Sequence, residues 1–327
     1  MDFKKQFGFT SASSLLPIKI LLDTQNICDI KNKEIKPVHL QFMPTNKCNL
    51  KCSWYSCADR NKKSELDIKE IKKIIEMFAG LGTKSVTISG GGEPCLHPNI
   101  NEIIYCFYDC GIEIGLVTNG YLINNIKKEQ LRKLVWCRIS CGNHYDNIEN
   151  YLKAIRVACF NAPSVDWAFS YVMSSHSDFN NLDLIVNMAN AIDFTHVRIV
   201  PDLYNVDRTN VEYSQMFLKR AGIDDSLVIY QDRDNYTCGR KKCLISLIKP
   251  VITAEGRIQP CCAVQYLKFL DKRSFGEETD MGSWSDFVDI FKEQRYFNGE
   301  KCDKCYYDNY NYLLDSLQSD VKHINFI

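Results

Sequence analysis

The sequence lacks a net charge, because its 40 lysines and arginines balance its 40 aspartates and glutamates. That balance argues against a nucleic-acid partner with a long anionic footprint. The sequence also lacks an apolar run of the roughly 18 residues needed to cross a bilayer. Its N-terminus has neither the apolar segment nor the cleavage site of a secretory signal. We therefore expect a cytoplasmic protein with no membrane partner.

Cysteine, by contrast, is abundant, with 16 residues in a chain of 327. A reducing cytosol disfavours disulfides, so clustered thiols there indicate metal binding or catalysis. One cluster is the triad Cys48, Cys52 and Cys57 in "CNLKCSWYSC", and a second group lies between Cys238 and Cys305. Thiolates held on a loop suit soft metals, either zinc or an iron–sulfur cluster.

Strand-like apolar runs alternate with helical patterns after a lead-in of about 37 residues, an order typical of parallel α/β folds. In the first helical pattern, Ser64 and Asp67 predict a capping box. Six units are too few for a closed eight-fold barrel and fit either a partial barrel or a doubly wound sheet. The predicted strands are Val38–Thr45, Ser85–Gly90, Glu113–Asn119, Trp136–Cys141, Asp166–Met173 and His196–Asp202.

Polar or glycine-rich segments follow four successive predicted strands: the cysteine triad, "GGGEP", "TNG" and "SCGN". In both candidate folds ligands bind at the C-terminal ends of the strands. One cofactor that contacts all four strand ends is the simplest explanation.

The pattern changes after residue 203, where "KPVITAEGRIQPCC" predicts a β-hairpin that turns at Ala254-Glu255-Gly256. We therefore predict three parts. They are an N-terminal lead-in at 1–37, a barrel core at 38–203, and a connecting segment with a small α+β auxiliary domain at 204–327.

The triad, Gly91–Pro94 ("GGEP"), Thr118–Gly120 ("TNG") and the pair Arg138 and Ser140 together resemble the radical S-adenosylmethionine (SAM) superfamily over residues 38–202. The resemblance implies a partial (β/α)6 TIM-like barrel and a [4Fe–4S] cluster whose open iron chelates SAM. It implies an enzyme in which the reduced cluster cleaves SAM to a 5′-deoxyadenosyl radical that removes a hydrogen atom from a substrate. It also implies an electron donor such as flavodoxin or ferredoxin.

By position in the family pattern, the resemblance assigns a set of residues to SAM binding. The glycine turn would meet the methionyl amine, and the ends of the next two strands would meet the carboxylate or the ribose. The set is Tyr55, Gly91, Gly92, Glu93, Thr118, Asn119, Arg138 and Ser140.

The spacing of the triad departs from the family pattern, C-x3-C-x2-C, which would place the third cysteine where Tyr55 stands. Cys57 could be the third ligand of a longer loop. Alternatively, Tyr55 replaces the ligand, or the site is inactive and the fold survives for binding. A thiolate suits the cluster better than a hard phenolate, and intact SAM-site residues argue against an inactive site. We therefore predict Cys48, Cys52 and Cys57 as the ligands.

The second cysteine group has the pattern C-x12-G-x4-C…C-x2-C and no cysteine after Cys305, which resembles the auxiliary-cluster module called twitch, a shortened SPASM module. It implies a second, fully ligated [4Fe–4S] cluster, although zinc is physically possible. Cys262 and Cys238 are spare candidates. The predicted ligands are Cys243, Cys261, Cys302 and Cys305.

An auxiliary cluster suits a net two-electron oxidation, so the leading hypothesis is a radical SAM oxidoreductase acting on a small molecule. The alternatives are a peptide-modifying radical SAM enzyme, which the short lead-in disfavours, and a non-catalytic zinc or iron–sulfur protein on a degenerate fold. Candidates for substrate contact or general base lie near strand ends. They are Arg198, Asp202, Tyr171 and His144.

Overall fold

The computed structural model describes residues 18–52, 60–141, 148–173, 179–201, 208–231, 238–262, 279–302, 305 and 307–319. Within these ranges the chain has an α/β architecture built on one mostly parallel sheet, as the sequence predicts. No helix in these ranges is long and apolar enough to cross a membrane.

The sheet contains the six predicted strands and three more. The strands are β1 His39–Phe42, β2 Ser85–Ile88, β3 Glu113–Thr118, β4 Leu134–Cys141, β5 Asp166–Met173, β6 His196–Pro201, β7 Val228–Tyr230, β8 Val251–Ile252 and β9 Ile258–Gln259. Their order across the described sheet is β7-β6-β5-β4-β3-β2-β1-β8-β9. Strands β1 to β7 are parallel, β8 is parallel to β1, and β8 with β9 forms the predicted antiparallel hairpin.

Helices connect the successive parallel strands and also flank the hairpin. They are α1 Ile18–Leu21, α2 Thr24–Lys31, α3 Ile68–Gly80, α4 Ile100–Asp109, α5 Lys128–Leu131, α6 Ile148–Asn161, α7 Phe179–Ala191, α8 Arg208–Arg220, α9 Ile245–Ile248, α10 Phe287–Lys292 and α11 Asp308–Leu317.

The prediction that Ser64 caps helix α3 is wrong. Asp67, not Ser64, is the N-cap, and its carboxylate accepts the backbone N–H of Lys69 at 2.8 Å. Ser64 has another partner, because its carbonyl accepts the backbone N–H of Asn46 at 2.9 Å. The chain before the helix therefore pairs with the start of the cysteine loop.

The two faces of the sheet differ in polarity, as strand β4 illustrates. Cys137, Ile139 and Cys141 are fully buried in the hydrophobic core, whereas Arg138 and Ser140 between them are only half-buried. Alternate residues of a strand point to opposite faces. One face of the sheet therefore packs in the apolar core, and the other, called the inner face below, carries polar side chains.

Residues after position 203 contribute to both edges of the described sheet, since β7 pairs with β6 and the hairpin pairs with β1. The hairpin turns through Gly256, whose φ of 70° favours glycine. Trp284, which follows the hairpin, donates through Nε1 to Glu70 on α3 at 2.6 Å. The division at residue 203 stays a prediction, but the two parts share one sheet.

Candidate functional site

The loop that carries the first cysteines leaves strand β1 and is anchored at Asn46. The Asn46 side chain donates to the carbonyl of Asn61 at 3.0 Å and to the Glu255 carboxylate at 2.6 Å. Arg60 Nε donates to the Asn46 carbonyl at 3.0 Å. The contact between Asn46 and Glu255 has no signal in the sequence, because 209 positions separate the two residues and no local pattern indicates such a contact.

Cys48 and Cys52 are half-buried on this loop, while Tyr55 and Cys57 lie outside the described residues. Burial raises the pKa of the Cys48 thiol, and the nearby Glu93 carboxylate acts in the same direction. A metal would offset this effect, because its positive charge favours the thiolate. Two of the three predicted ligands therefore lie on one loop, and the third stays a prediction.

The glycines after strand β2 allow the chain to approach the cysteine loop closely. A Cβ on Gly91 would overlap the Asn46 side chain, and one on Gly92 would overlap the carbonyl oxygen of Lys47. The next residue completes the contact, since the Glu93 backbone N–H donates to the Lys47 carbonyl at 2.8 Å. The "GG" pair is thus required by packing at these positions.

Glu93 is the hub of the site, with only 2% of its surface exposed. Its carboxylate accepts the Thr118 hydroxyl at 2.6 Å, the Asn119 backbone N–H at 2.7 Å and the Cys95 backbone N–H at 3.0 Å. Burial raises the pKa of the Glu93 carboxyl, and these three donors oppose the rise. Glu93 therefore joins the ends of strands β2 and β3.

The turn after strand β3 connects this hub to the cysteine loop. Asn119 Nδ2 donates to Asn49 Oδ1 at 2.8 Å, and the Asn119 carbonyl accepts the Tyr151 hydroxyl at 3.0 Å. Gly120 has a φ of 81°, and a Cβ there would press on Ile139. The predicted residues Gly91, Gly92, Glu93, Thr118 and Asn119 are thus brought together beside Cys48.

Arg138 and Ser140 lie on the inner face of strand β4, and the Arg138 guanidinium lies 5.2 Å from the ring centroid of Trp136. Gly115 of the neighbouring strand leaves the space for that ring, because a Cβ there would overlap it. Ser140 pairs with Ser170 across the sheet, and Ser170 pairs with Arg198.

Of the four candidates for substrate contact, Arg198 lies on the inner face, where its Nη2 donates to Ser170 Oγ at 2.9 Å. Tyr171 does not. It is fully buried in the apolar core and pairs with Cys141 and Ile199, which face away from Arg198. The expectation that Tyr171 faces the same cavity as Arg198 is therefore corrected. His144 and Asp202 lie outside the described residues.

Three of the four predicted auxiliary ligands, Cys243, Cys302 and Cys305, lie near one another, and two of them affect the pKa of the third. Burial raises the pKa of Cys243 to about 12, and the thiols of Cys305 and Cys302 contribute in that order. Asn311 Nδ2 donates to Cys243 Sγ at 3.7 Å, and the Cys302 carbonyl accepts the Gly239 backbone N–H at 2.8 Å. These contacts gather Cys243, Cys302 and Cys305 in one region of the fold.

The remaining cysteines near this region have different surroundings. Cys261 is partly buried against the core, and the Cys262 thiol lies 3.1 Å from the Tyr307 hydroxyl. Cys238 is exposed. Which of them completes a four-thiol set stays a prediction.

The cysteine sulfurs are the donors at both regions. Within the described ranges, no three or more histidines, cysteines or acidic residues lie close enough to hold one ion. Thiolate donors suit either zinc or an iron–sulfur cluster.

Residues 42–162 match the family described as the Radical SAM superfamily. An uncharacterized protein of Methanocaldococcus jannaschii is 33% identical over 116 residues, which is 34% of this chain and 39% of that protein. The GTP 3′,8-cyclase of Vibrio atlanticus is 36% identical over 90 residues, 25% of this chain and 27% of the cyclase. The chain therefore spans less than half the length of these relatives.

Solved structures support the fold. Streptococcus suis SuiB bound to S-adenosylmethionine aligns with a TM-score of 0.58 and 17% identity, over 87% of this chain and 73% of SuiB. The structure of anSMEcpe with bound AdoMet and Cp18Cys peptide aligns with a TM-score of 0.51 and 12% identity, over 88% and 85% of the two chains.

The matched segment contains Cys48, Glu93 and the strand ends around them. Enzymes of the matched family bind a [4Fe–4S] cluster and SAM. Residues 42–162 of this chain therefore carry a domain of the radical SAM superfamily.

Proposed function

We propose that this chain is a radical SAM enzyme of the oxidoreductase type, which removes a hydrogen atom and, in total, two electrons from a small molecule. The observation that carries the proposal is the buried Glu93 hub, which joins the glycine turn, the next strand end and the cysteine loop. Such a preorganised cradle, built from backbone groups at strand ends, suits the positioning of a cofactor.

The residues at this site would have separate binding roles. Cys48, Cys52 and Cys57 would ligate the first cluster, and Tyr55 would lie beside it. The backbone of Gly91 and Gly92 would meet the amine of SAM. Other polar groups of the strand ends would hold its carboxylate and ribose. They are Thr118, Asn119, Arg138 and Ser140.

When bound, the first cluster would supply one electron for the cleavage of SAM, and the auxiliary cluster would accept one electron from the substrate, which would also lose a proton to a base or to solvent. Cys243, Cys261, Cys302 and Cys305 would hold the auxiliary cluster. Asn311 would support it by donating to the Cys243 sulfur. A flavodoxin or ferredoxin is the proposed electron donor.

The substrate is proposed to be a small molecule. One relative in sequence is named a GTP 3′,8-cyclase, an enzyme for a small molecule. A peptide substrate is the second candidate, because SuiB, which has this fold, was also solved bound to its precursor peptide SuiA, with a TM-score of 0.56. Tight binding of a short peptide encoded beside this gene would favour the second candidate.

The test is anaerobic reconstitution with iron and sulfide, followed by addition of dithionite and SAM. We expect about eight irons per chain, as two four-iron clusters require, and release of 5′-deoxyadenosine and methionine in equal amounts. The matched control is Cys110→Ala, which alters an exposed cysteine after helix α4 and should change neither result. Zinc with little iron, or no 5′-deoxyadenosine, would contradict the proposal.

A further inference from the structure

The turn of the β8–β9 hairpin contacts the loop that carries Cys48. Glu255 at this turn accepts a hydrogen bond from Asn46 Nδ2 at 2.6 Å, although 209 positions separate the two residues. Asn46 lies two residues before Cys48 and is 2% exposed, whereas Glu255 is exposed. The hairpin that leads to the proposed auxiliary ligand Cys261 therefore also contacts the start of the first cysteine loop.

Contacts with neighbouring residues and with helix α3 hold this hairpin turn in place. The Gly256 backbone N–H donates to the Thr253 carbonyl at 2.9 Å, and the Gly256 carbonyl accepts the Trp284 backbone N–H at 2.8 Å. The Trp284 indole in turn donates to the Glu70 carboxylate on α3 at 2.6 Å. Glu255 therefore extends from a turn that is anchored to a helix of the barrel.

The contact with Glu255 helps to orient the side-chain amide of Asn46. The two hydrogens of Asn46 Nδ2 have two acceptors, the Glu255 carboxylate at 2.6 Å and the Asn61 carbonyl at 3.0 Å. Because an ionised carboxylate and a carbonyl can only accept hydrogen bonds, the amide nitrogen faces them and Oδ1 faces the other way. There Oδ1 lies against Gly91, where a Cβ would overlap it. Glu255 therefore helps to fix which end of the amide faces the glycine turn.

The backbone of Asn46 is held separately from its side chain. Its N–H donates to the Ser64 carbonyl at 2.9 Å, and its carbonyl accepts Arg60 Nε at 3.0 Å. The side-chain amide is held by Asn61 and Glu255. Asn61 lies only 15 positions along the same segment, so Glu255 is the contact that comes from a distant element of the fold.

We propose that Glu255 is a positioning residue for SAM cleavage, which acts through Asn46 on the placement of Cys48 relative to Gly91. Its hydrogen bond to Asn46 is charge-assisted, and such bonds are stronger than those between neutral groups. The first cluster and the amine of SAM, which are proposed above to meet Cys48 and Gly91, react efficiently only when they are held in a defined geometry. The inference rests on the proposed function, because it adds a positioning residue to the same site.

The test compares Glu255→Ala, which removes the acceptor, with Glu255→Gln, whose side-chain oxygen can still accept from Asn46. In the anaerobically reconstituted Glu255→Ala protein, we expect hydrogen exchange of the backbone amides in residues 44–51 to be about tenfold faster than in the wild type. Formation of 5′-deoxyadenosine should be about tenfold slower. Glu255→Gln should restore both to near the wild-type values. In an Asn46→Ala background, Glu255→Ala should have no further effect, because the two residues act as a pair.

The matched control is Arg257→Ala, which truncates another exposed side chain of the same hairpin, one that donates to Asp280 at 2.7 Å. It should change neither measurement, whereas an effect equal to that of Glu255→Ala would overturn the inference. Thermal unfolding identifies variants that fail to fold. If Glu255→Ala is one of them, Glu255→Lys, which places a donor opposite Asn46 Nδ2, should show the same faster exchange and slower cleavage.

Two outcomes separate this inference from the proposed function. Wild-type protein that forms 5′-deoxyadenosine no faster than Glu255→Ala, with equal hydrogen exchange, overturns this inference alone. Faster exchange in Glu255→Ala, together with wild-type protein that leaves SAM intact, overturns the proposed function alone. If Glu255→Gln behaves as Glu255→Ala does, the hydrogen bond to Asn46 is not the cause, and the inference is also overturned.

Discussion

The two cysteine regions of this chain are each held by one buried polar side chain, but the two side chains differ in charge. At the first region, the Glu93 carboxylate accepts three hydrogen bonds. At the second, Asn311 is 1% exposed, and its amide donates to Cys243 Sγ at 3.7 Å and accepts the Ile245 backbone N–H at 3.1 Å. One hub is an acid, and the other is a neutral amide.

The difference follows from the charges that each region is proposed to hold. SAM brings a sulfonium and an amine, which tolerate a carboxylate nearby. Four thiolates around an auxiliary cluster already carry negative charge, and another carboxylate would repel them. An amide supplies the same hydrogen bonds without that repulsion. In this chain the acidic hub lies at the proposed SAM site, and the neutral hub lies at the proposed closed set of thiolates.

The largest effect is expected from Gly92→Ala, which tests whether the first region depends on close backbone contact. The new Cβ would overlap the Lys47 carbonyl oxygen, so the turn or the cysteine loop must move. We expect a loss of roughly 2–4 kcal/mol in the free energy of unfolding and about 100-fold slower SAM cleavage, since misplacement by about 1 Å has such an effect.

The matched control is Gly80→Ala at the end of helix α3, where nothing lies within 4 Å of the new Cβ. 5′-Deoxyadenosine formation should match the wild type there, and stability should be unchanged or slightly higher, because alanine favours the helix more than glycine does. Equal behaviour of the two alanine variants would contradict the role given to Gly92.

Glu93→Gln tests whether the first hub must be an acid. All three of its partners are donors, so the new amide NH2 would face a donor and leave it unsatisfied. We expect a loss of about 1–3 kcal/mol in stability, together with slower SAM cleavage. Glu76→Gln on the exposed side of helix α3 is the control and should change neither. If Glu93→Gln keeps wild-type stability and rate, the comparison between the hubs fails.

Asn311→Asp makes the second hub resemble the first. Because the new carboxylate would lie beside the Cys243 sulfur, we expect it to weaken the auxiliary cluster and reduce iron from about eight towards four per chain. Formation of 5′-deoxyadenosine should continue, since the first region is untouched. Asn309→Asp, at an exposed position of helix α11, should keep the full iron content. Loss of both clusters in Asn311→Asp would show that the two regions are not independent.

The smallest effect is expected at His196, which lies on the inner face of the sheet and belongs to neither hub. Burial, followed by the charges of Arg138, Arg198 and Lys19, lowers the pKa of His196 to about 3 from 6.5. Between these values the unfolded chain binds a proton that the folded chain does not, so stability present above pH 6.5 falls as the pH falls. At pH 5.5 the loss is about 1.4 kcal/mol. Urea unfolding at pH 7 and 5.5 should show a shallower slope in His196→Asn than in the wild type. Some slope should remain, because burial also lowers the pKa of His39. An equal slope in both proteins would contradict the role of His196.

The fold and much of the first site can be predicted from the sequence because their signals are local. Strand β5 has its predicted bounds, and the glycines and Glu93 follow their strand within a few residues. The Asn46–Glu255 contact could not be predicted, since it joins two distant turns. The face of Tyr171 was missed for another reason. Nearly every residue of β5 is buried, so hydrophobic alternation does not distinguish its two faces.

The most direct test of the central claim is the electron paramagnetic resonance spectrum of the dithionite-reduced first cluster with and without SAM. Cys302→Ala/Cys305→Ala protein serves as the background, because it removes the auxiliary signal. We predict that the spectrum changes when SAM is added, that Tyr55→Phe preserves this change, and that Cys57→Ala abolishes the four-iron signal. A Cys57→Ala protein that holds a four-iron cluster and still responds to SAM would contradict the account.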